Sequence, residues 1–164
     1  AFAVAFIILR VVWSAIQNKF LREKMMVRLI ISFDKKAIEL YALVDTGNSL
    51  HDPLTNMPVV VVEFTAIKDL LPEDIKCIFE KDLDDDLNRI TTAISCSAWF
   101  SRFRLIPFTS LGKENGMLIG FRPDFIEIGN EEEKRGVQDV IVGIYNRALS
   151  KNEQYKALLN PELM

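Results

Sequence analysis

One carboxylate in this chain stands where chemistry is possible. Asp45-Thr46-Gly47 follows the apolar run Ala42-Leu43-Val44, so a strand end holds the Asp45 side chain while its turn leaves it open. Two such carboxylates brought together cannot both ionise at close range, and they share one proton. The ionised member then takes a proton from water while its neighbour polarises a peptide carbonyl. Gly47 lets the backbone turn tightly beside the carboxylate, and the Thr46 hydroxyl can hydrogen-bond across a symmetric partner. The tripeptide alone is weak, because a structural turn uses the same three common residues.

Rival chemistries find less support. His51 is the one histidine, so any Ser–His–Asp or Cys–His site must use it; beside Asp52 and Pro53 it reads as an exposed turn residue. Metal chemistry lacks ligands for the same reason, and no glycine-rich phosphate-binding motif occurs. Formation of an aspartyl-phosphate at Asp45 usually needs a second Asp two residues on, or a Lys directly after, where Gly47 and Thr46 stand. Asp82, Asp84 and Asp86 alternate as in a calcium loop, but Leu87 replaces the required Gly and Ala93 the required Glu. A solvated loop is the expectation there. Cys77 and Cys96 form no C-x-x-C pair and are expected as small core residues. No metal or other cofactor is expected.

The elements that must position Asp45 fit one domain with an appendage. The chain has 164 residues, and Lys+Arg 20 against Asp+Glu 23 leaves a net charge of −3, which argues against a nucleic-acid partner. Hydrophobic residues reach 49%, and the mean hydropathy of +0.14 is raised by residues 1–16, whose single charge is Arg10. Sixteen helical residues span roughly 24 Å, short of the ~30 Å hydrocarbon core. The stretch therefore reads as part of a transmembrane helix, with a buried amphipathic helix as the alternative. A signal peptide fits poorly, since no basic region precedes the run and no A-x-A site follows. Lys19, Arg22, Lys24 and Arg28, opposed only by Glu23, form a basic flank that marks the cytoplasmic side. Residues 1–24 are thus read as membrane helix end plus juxtamembrane segment, and 25–164 as the cytoplasmic domain.

Within that domain, residues 25–33 and 37–44 read as a β-hairpin about Asp34-Lys35-Lys36, the second strand leading into Asp45. Residues 58–64 form a continuous apolar run, hence a buried strand. A short helix is expected around Ile67–Leu71 up to Pro72, then an acidic loop over 80–88. Residues 99–111 and 117–128 read as a strand pair joined at Gly112–Gly116, Asn130–Gly136 as a loop, Val137–Gly143 as a strand, and Ile144–Leu159 as a helix. The fold class is mainly β with a C-terminal helix.

With these elements in order, the chain resembles the retroviral-type aspartic proteases over roughly residues 25–150. The hairpin MVRLIISFDKKAIELYALVDTGN is similar to their opening hairpin and catalytic loop. GMLIGFRPDFIEI followed by DVIVG is similar to their closing hairpin and their hydrophobic-hydrophobic-Gly motif. Ile141-Val142-Gly143 is the preferred match for that motif because a helix-like segment follows; Leu118-Ile119-Gly120 is the alternative. DTGNSLHDPLTNMPVVVVE, RLIPFTSLGKENGMLIGFRPD and IVGIYNRALS together resemble the sporulation sigma-E factor processing peptidases of endospore-forming bacteria. Asn48, where a small residue is usual, and the longer acidic segment between Phe64 and Trp99 depart from the retroviral pattern.

The resemblance implies a retropepsin-like, closed barrel-like β domain in which Asp45 is catalytic and Thr46 and Gly47 support it. It also implies tethering by preceding membrane helices at the cell (septal) membrane, with the precursor of sigma factor E as protein substrate and a signalling protein from the forespore as activator. A flap is expected between residues 80 and 105, with Trp99, Phe100 and Phe103 over the peptide, or else simply in the core. No second D-T-G occurs in the chain, so a twofold homodimer must supply the other carboxylate. Weak dimerisation, switched by the membrane part, then becomes a control point. Two other functions remain open: a non-catalytic, protease-like dimeric module that binds peptides or signals at the membrane, and a membrane-anchored sensor in which Asp45 is only a turn residue.

Overall fold

Strict alternation builds the first hairpin. In β1 (Met26–Phe33) the residues Val27, Leu29, Ile31 and Phe33 are buried while the intervening side chains are not, as the period of two requires. β1 pairs with β2 (Lys36–Val44) in antiparallel register, Phe33 opposite Lys36. Asp34 and Lys35 both take positive φ, at 49° and 65°, the twist that a two-residue hairpin turn needs. The computed structural model describes Ile7, Arg10 and residues 25–81, 86–110, 113–130 and 133–164.

The remaining strands are β3 (Val59–Glu63), β4 (Phe103–Ser110), β5 (Lys113–Phe121), β6 (Phe125–Gly129), β7 (Lys134–Val137), β8 (Ile141–Tyr145) and β9 (Ala157–Leu159). All join one nine-stranded sheet in the order β4-β5-β8-β3-β9-β2-β1-β6-β7. The β2–β9 and β3–β8 pairs are parallel. β3 is buried at every residue, as its unbroken apolar run requires of a strand covered on both faces.

One face is covered by α1 (Phe64–Ile67), α2 (Glu73–Glu80) and α3 (Leu87–Cys96). Their Phe64, Ile67, Ile75, Ile78, Phe79, Ile90 and Ile94 join the main core with Val60, Val62, Val142 and Ile144 from the strands. On the opposite face Val59, Val61, Ile106, Leu118 and Ile141 form a second, smaller core, against which Leu50 and Met57 pack.

Several expectations are corrected. The domain is mixed α/β and strand-rich, and its sheet is open: β4 and β7 are edges rather than a closing pair. Edge strand β7 is largely exposed and carries Lys134 and Arg135, charges that discourage further strand pairing. The C-terminal helix expected over Ile144–Leu159 is absent. β8 runs to Tyr145, and after turns β9 slots between β2 and β3. Buried Ala157 and Leu159 fill that slot, so strand pairing overrides the helical character of the segment. The strand expected over 117–128 is split into β5 and β6 by Arg122-Pro123-Asp124, since Pro123 has no N–H for a ladder. Part of the expected 130–136 loop is β7, and α3 stands where no helix was expected.

The appendage expected over residues 1–24 lies outside the described residues except for Ile7 and Arg10, which are helical. Among the described residues no helix is long and apolar enough to cross a membrane.

Candidate active site

Asp45 is the first residue beyond β2, and the sheet still holds its backbone. Its N–H donates to Leu159 O of β9 at 3.0 Å, and one residue earlier Val44 N donates to Met25 O at 2.8 Å. The carboxylate is half-buried and accepts from Gly47 N at Oδ1, 2.9 Å. Asn48 N donates to Asp45 O at 2.9 Å, closing the turn. A Cβ at Gly47 would lie 3.3 Å from Asp45 Oδ1, tight contact for any larger residue. Thr46 and Gly47 are exposed at the tip. The turn thus holds a half-buried carboxylate beside an exposed Thr46 at a hydrogen-bonded strand end.

Asn48 fastens the turn from below. Its side chain is 6% exposed; Nδ2 donates to Val59 O at 3.0 Å and to Leu158 O at 3.2 Å. Its Oδ1 accepts from Leu50 N at 3.2 Å, so both ends of the amide are satisfied by three separate segments. A small residue at this position could not make these bonds.

Ile141, Val142 and Gly143 lie on β8, all buried. Gly143 faces Gly120 across the β5–β8 ladder, so the two candidate hydrophobic-hydrophobic-Gly motifs are neighbours in one sheet. Neither is followed by a helix. Through Val61 and Leu158 the register links Gly143 to Leu43, two residues before Asp45. His51 sits on the loop after the turn, in a bridge with Pro58. Its Nδ1 lies 2.9 Å from Ser49 O and its Nε2 3.0 Å from Glu162 Oε2. Both nitrogens are engaged, and neither faces a hydroxyl or thiol nucleophile.

Over residues 1–163 the chain matches the model of the family described as sporulation factor SpoIIGA. The chain belongs to this family. Among similar proteins, the sporulation sigma-E factor-processing peptidase of Priestia megaterium is 30% identical over 139 residues, 82% of this chain and 42% of that protein. A putative sporulation sigma factor-processing peptidase of Bacillus thuringiensis is 30% identical over 139 residues, 84% of this chain and 83% of that protein. The sporulation sigma-E factor-processing peptidase of Bacillus subtilis is 24% identical over 149 residues, 91% of this chain and 48% of that protein. The chain thus spans less than half the length of the Priestia megaterium and Bacillus subtilis relatives. No solved structure matches it.

In this SpoIIGA-family chain the described part of the segment read as a flap holds a helix and a short turn. Residues 87–96 are helix α3 and Phe100–Arg102 a 3₁₀ turn. Phe103 is buried, and the Trp99 ring packs on Phe33 at 5.5 Å, so both serve the core while Phe100 stays exposed. Asp86 caps α3, accepting from Asn88 N and Arg89 N. Residues 82–85 of the acidic run lie outside the described residues, among which no metal-ligand cluster occurs. Neither cysteine belongs to the core, Cys77 being half-buried and Cys96 exposed. Asp52, which stands beside His51 in this polar loop, is 1% exposed and accepts from the Thr55 hydroxyl and amide. The sequence reading missed Asn160 and Glu162 as site residues, because Leu50 and His51, which they reach, lie more than a hundred positions away.

Proposed function

We propose that this chain carries the catalytic domain of a membrane-tethered aspartic endopeptidase that works as a homodimer. Its substrate is the sigma-E precursor, from which it removes the pro-sequence during sporulation. The names of its relatives supply the substrate class, and the Asp45 turn supplies the chemistry. The observation that carries the reading is a carboxylate on a rigid strand end, half-buried, with an exposed Thr46 and a tightly turned Gly47 beside it. One such turn per chain is half a dyad, so two copies of Asp45 meet across a twofold axis. There one carboxylate is ionised and deprotonates water while the other, protonated, polarises the scissile carbonyl. The retropepsin-like reading rests on the order of parts: hairpin, D-T-G turn, then the strand of Ile141, Val142 and Gly143.

The tether enters beside the site. Met25 O accepts from Val44 N, one residue before Asp45, so the segment upstream joins the domain at its active end. Membrane confinement at the septum, with the domain in the cytoplasm, then raises the effective concentration of the dimer-forming surface. A signalling protein from the forespore acts on the same equilibrium.

The test is cleavage of co-expressed sigma-E precursor by the full-length protein carrying wild-type Asp45, Asp45→Ala or Asp45→Asn. Loss of the shortened product in both variants, at normal protein level, is the expected result. Continued processing by Asp45→Asn would return the chain to the class of peptide-binding modules or sensors.

A further inference from the structure

A catalytic turn at a strand end is free on one side, so something beyond the strand must set its position. Here one short segment does so at successive points. Leu159 O accepts from Asp45 N at 3.0 Å. Leu158 O accepts from Asn48 Nδ2 at 3.2 Å. Asn160 Nδ2 donates to Leu50 O at 3.3 Å, and Glu162 Oε2 meets His51 Nε2 at 3.0 Å. Residues 158–162 therefore hold residues 45–51 at four points where the parallel β2–β9 pairing ends, at its last partners Val44 and Leu159.

Asn160 is central to this seam. It is 1% exposed, and its amide is divided between two tasks. Oδ1 accepts from Glu162 N at 3.1 Å, capping the 3₁₀ turn Pro161–Leu163, while Nδ2 holds the Leu50 carbonyl. That carbonyl also accepts from Val59 N at 2.9 Å, so Asn160 and β3 grip the far end of the turn together. The cap fixes where Glu162 stands, and Glu162 in turn engages His51.

We infer that Asn160 is a positioning residue for Asp45: its amide ties the segment after β9 to the loop after the catalytic turn and so sets the orientation of the carboxylate. This rests on the reading of Asp45 as the catalytic group. The amide does both tasks at once: an ionised Asp keeps the capping oxygen but has no proton to donate to Leu50 O, and Ser keeps the capping oxygen on a side chain too short to take the amide nitrogen's place at Leu50 O. These two variants therefore separate positioning from folding.

The full-length protein in detergent micelles, as wild type, Asn160→Asp and Asn160→Ser, is assayed on purified sigma-E precursor, with Asp45→Ala alongside. Amide hydrogen exchange is followed in the same preparations. Misplacement of a reacting group by about 1 Å can lower a rate about a hundredfold. Accordingly kcat should fall about ten- to a hundredfold in both variants with KM within about twofold. Exchange should accelerate at Thr46–His51 while β1, β3 and β8 keep their protection. An unchanged kcat, or a fall accompanied by faster exchange across the whole sheet, would overturn the inference. If Asp45→Ala cleaves like wild type, the catalytic reading fails instead, and local exchange at Thr46–His51 still decides whether Asn160 holds the turn.

Discussion

At the residue scale, the surroundings of Asp45 are built from side-chain amides and one imidazole. Asn48 donates to the Val59 and Leu158 carbonyls and Asn160 to the Leu50 carbonyl, and burial makes such bonds costly to lose. His51 engages Ser49 O and the Glu162 carboxylate with its two ring nitrogens, an arrangement that suits the imidazolium, in which both are donors. The hydrogen bond to Glu162, followed by that to Ser49 O, raises the His51 pKa above its usual 6.5. The folded protein therefore keeps this proton to higher pH than the unfolded chain. The associated stability is present in full below the unfolded value and is lost as pH rises through the folded one. Calorimetry at a series of pH values between about 6 and 8.5 should show a falling thermal midpoint, with a shallower fall in His51→Gln. Equal slopes in the two proteins would mean that the His51–Glu162 pair does not contribute.

At the element scale, strands β5 and β8 pair glycine with glycine at Gly120 and Gly143, and side chains from the neighbouring strands fill the space beside them. A Cβ on Gly120 would lie 2.8 Å from Ile141 Cγ2 and 3.3 Å from Ile106 Cγ1. Overpacking of this kind costs about 1–3 kcal/mol, so Gly120→Ala should lower stability by that amount in equilibrium denaturation. Gly136, on edge strand β7, has no atom within 4 Å of its would-be Cβ. Gly136→Ala should change stability by no more than about 0.5 kcal/mol. The hairpin carrying Asp45 was legible in the sequence, since its alternation and its Asp34-Lys35 turn are local signals. The buried strand β3 was legible as an apolar run. β9 was not: Ala157 and Leu159 occur in a helix-like stretch, and only the vacant slot between β2 and β3 makes them a strand. The same reason hid Asn160 and Glu162, whose roles exist only once β9 is in place. For Trp99 and Phe103 the sequence left two places open, over a peptide or in the core, and both pack in the core.

At the scale of the whole molecule, the sheet gathers the Asp45 turn and the segments that hold it at one end of β2. Asp45, the entry at Met25 and the seam at Leu158–Glu162 all lie where β2 ends. In the function proposed above, the Asp45 turn, exposed at Thr46 and Gly47, is one half-site that a second copy completes. The most direct test of the shared dyad is to co-express full-length wild type and Asp45→Ala in equal amounts, at fixed total protein, with the sigma-E precursor. Random pairing leaves about one quarter of the dimers with two intact carboxylates, so the initial rate of cleavage should fall to about a quarter of the all-wild-type rate. A rate near one half would mean that each copy cuts alone, and would contradict the shared dyad.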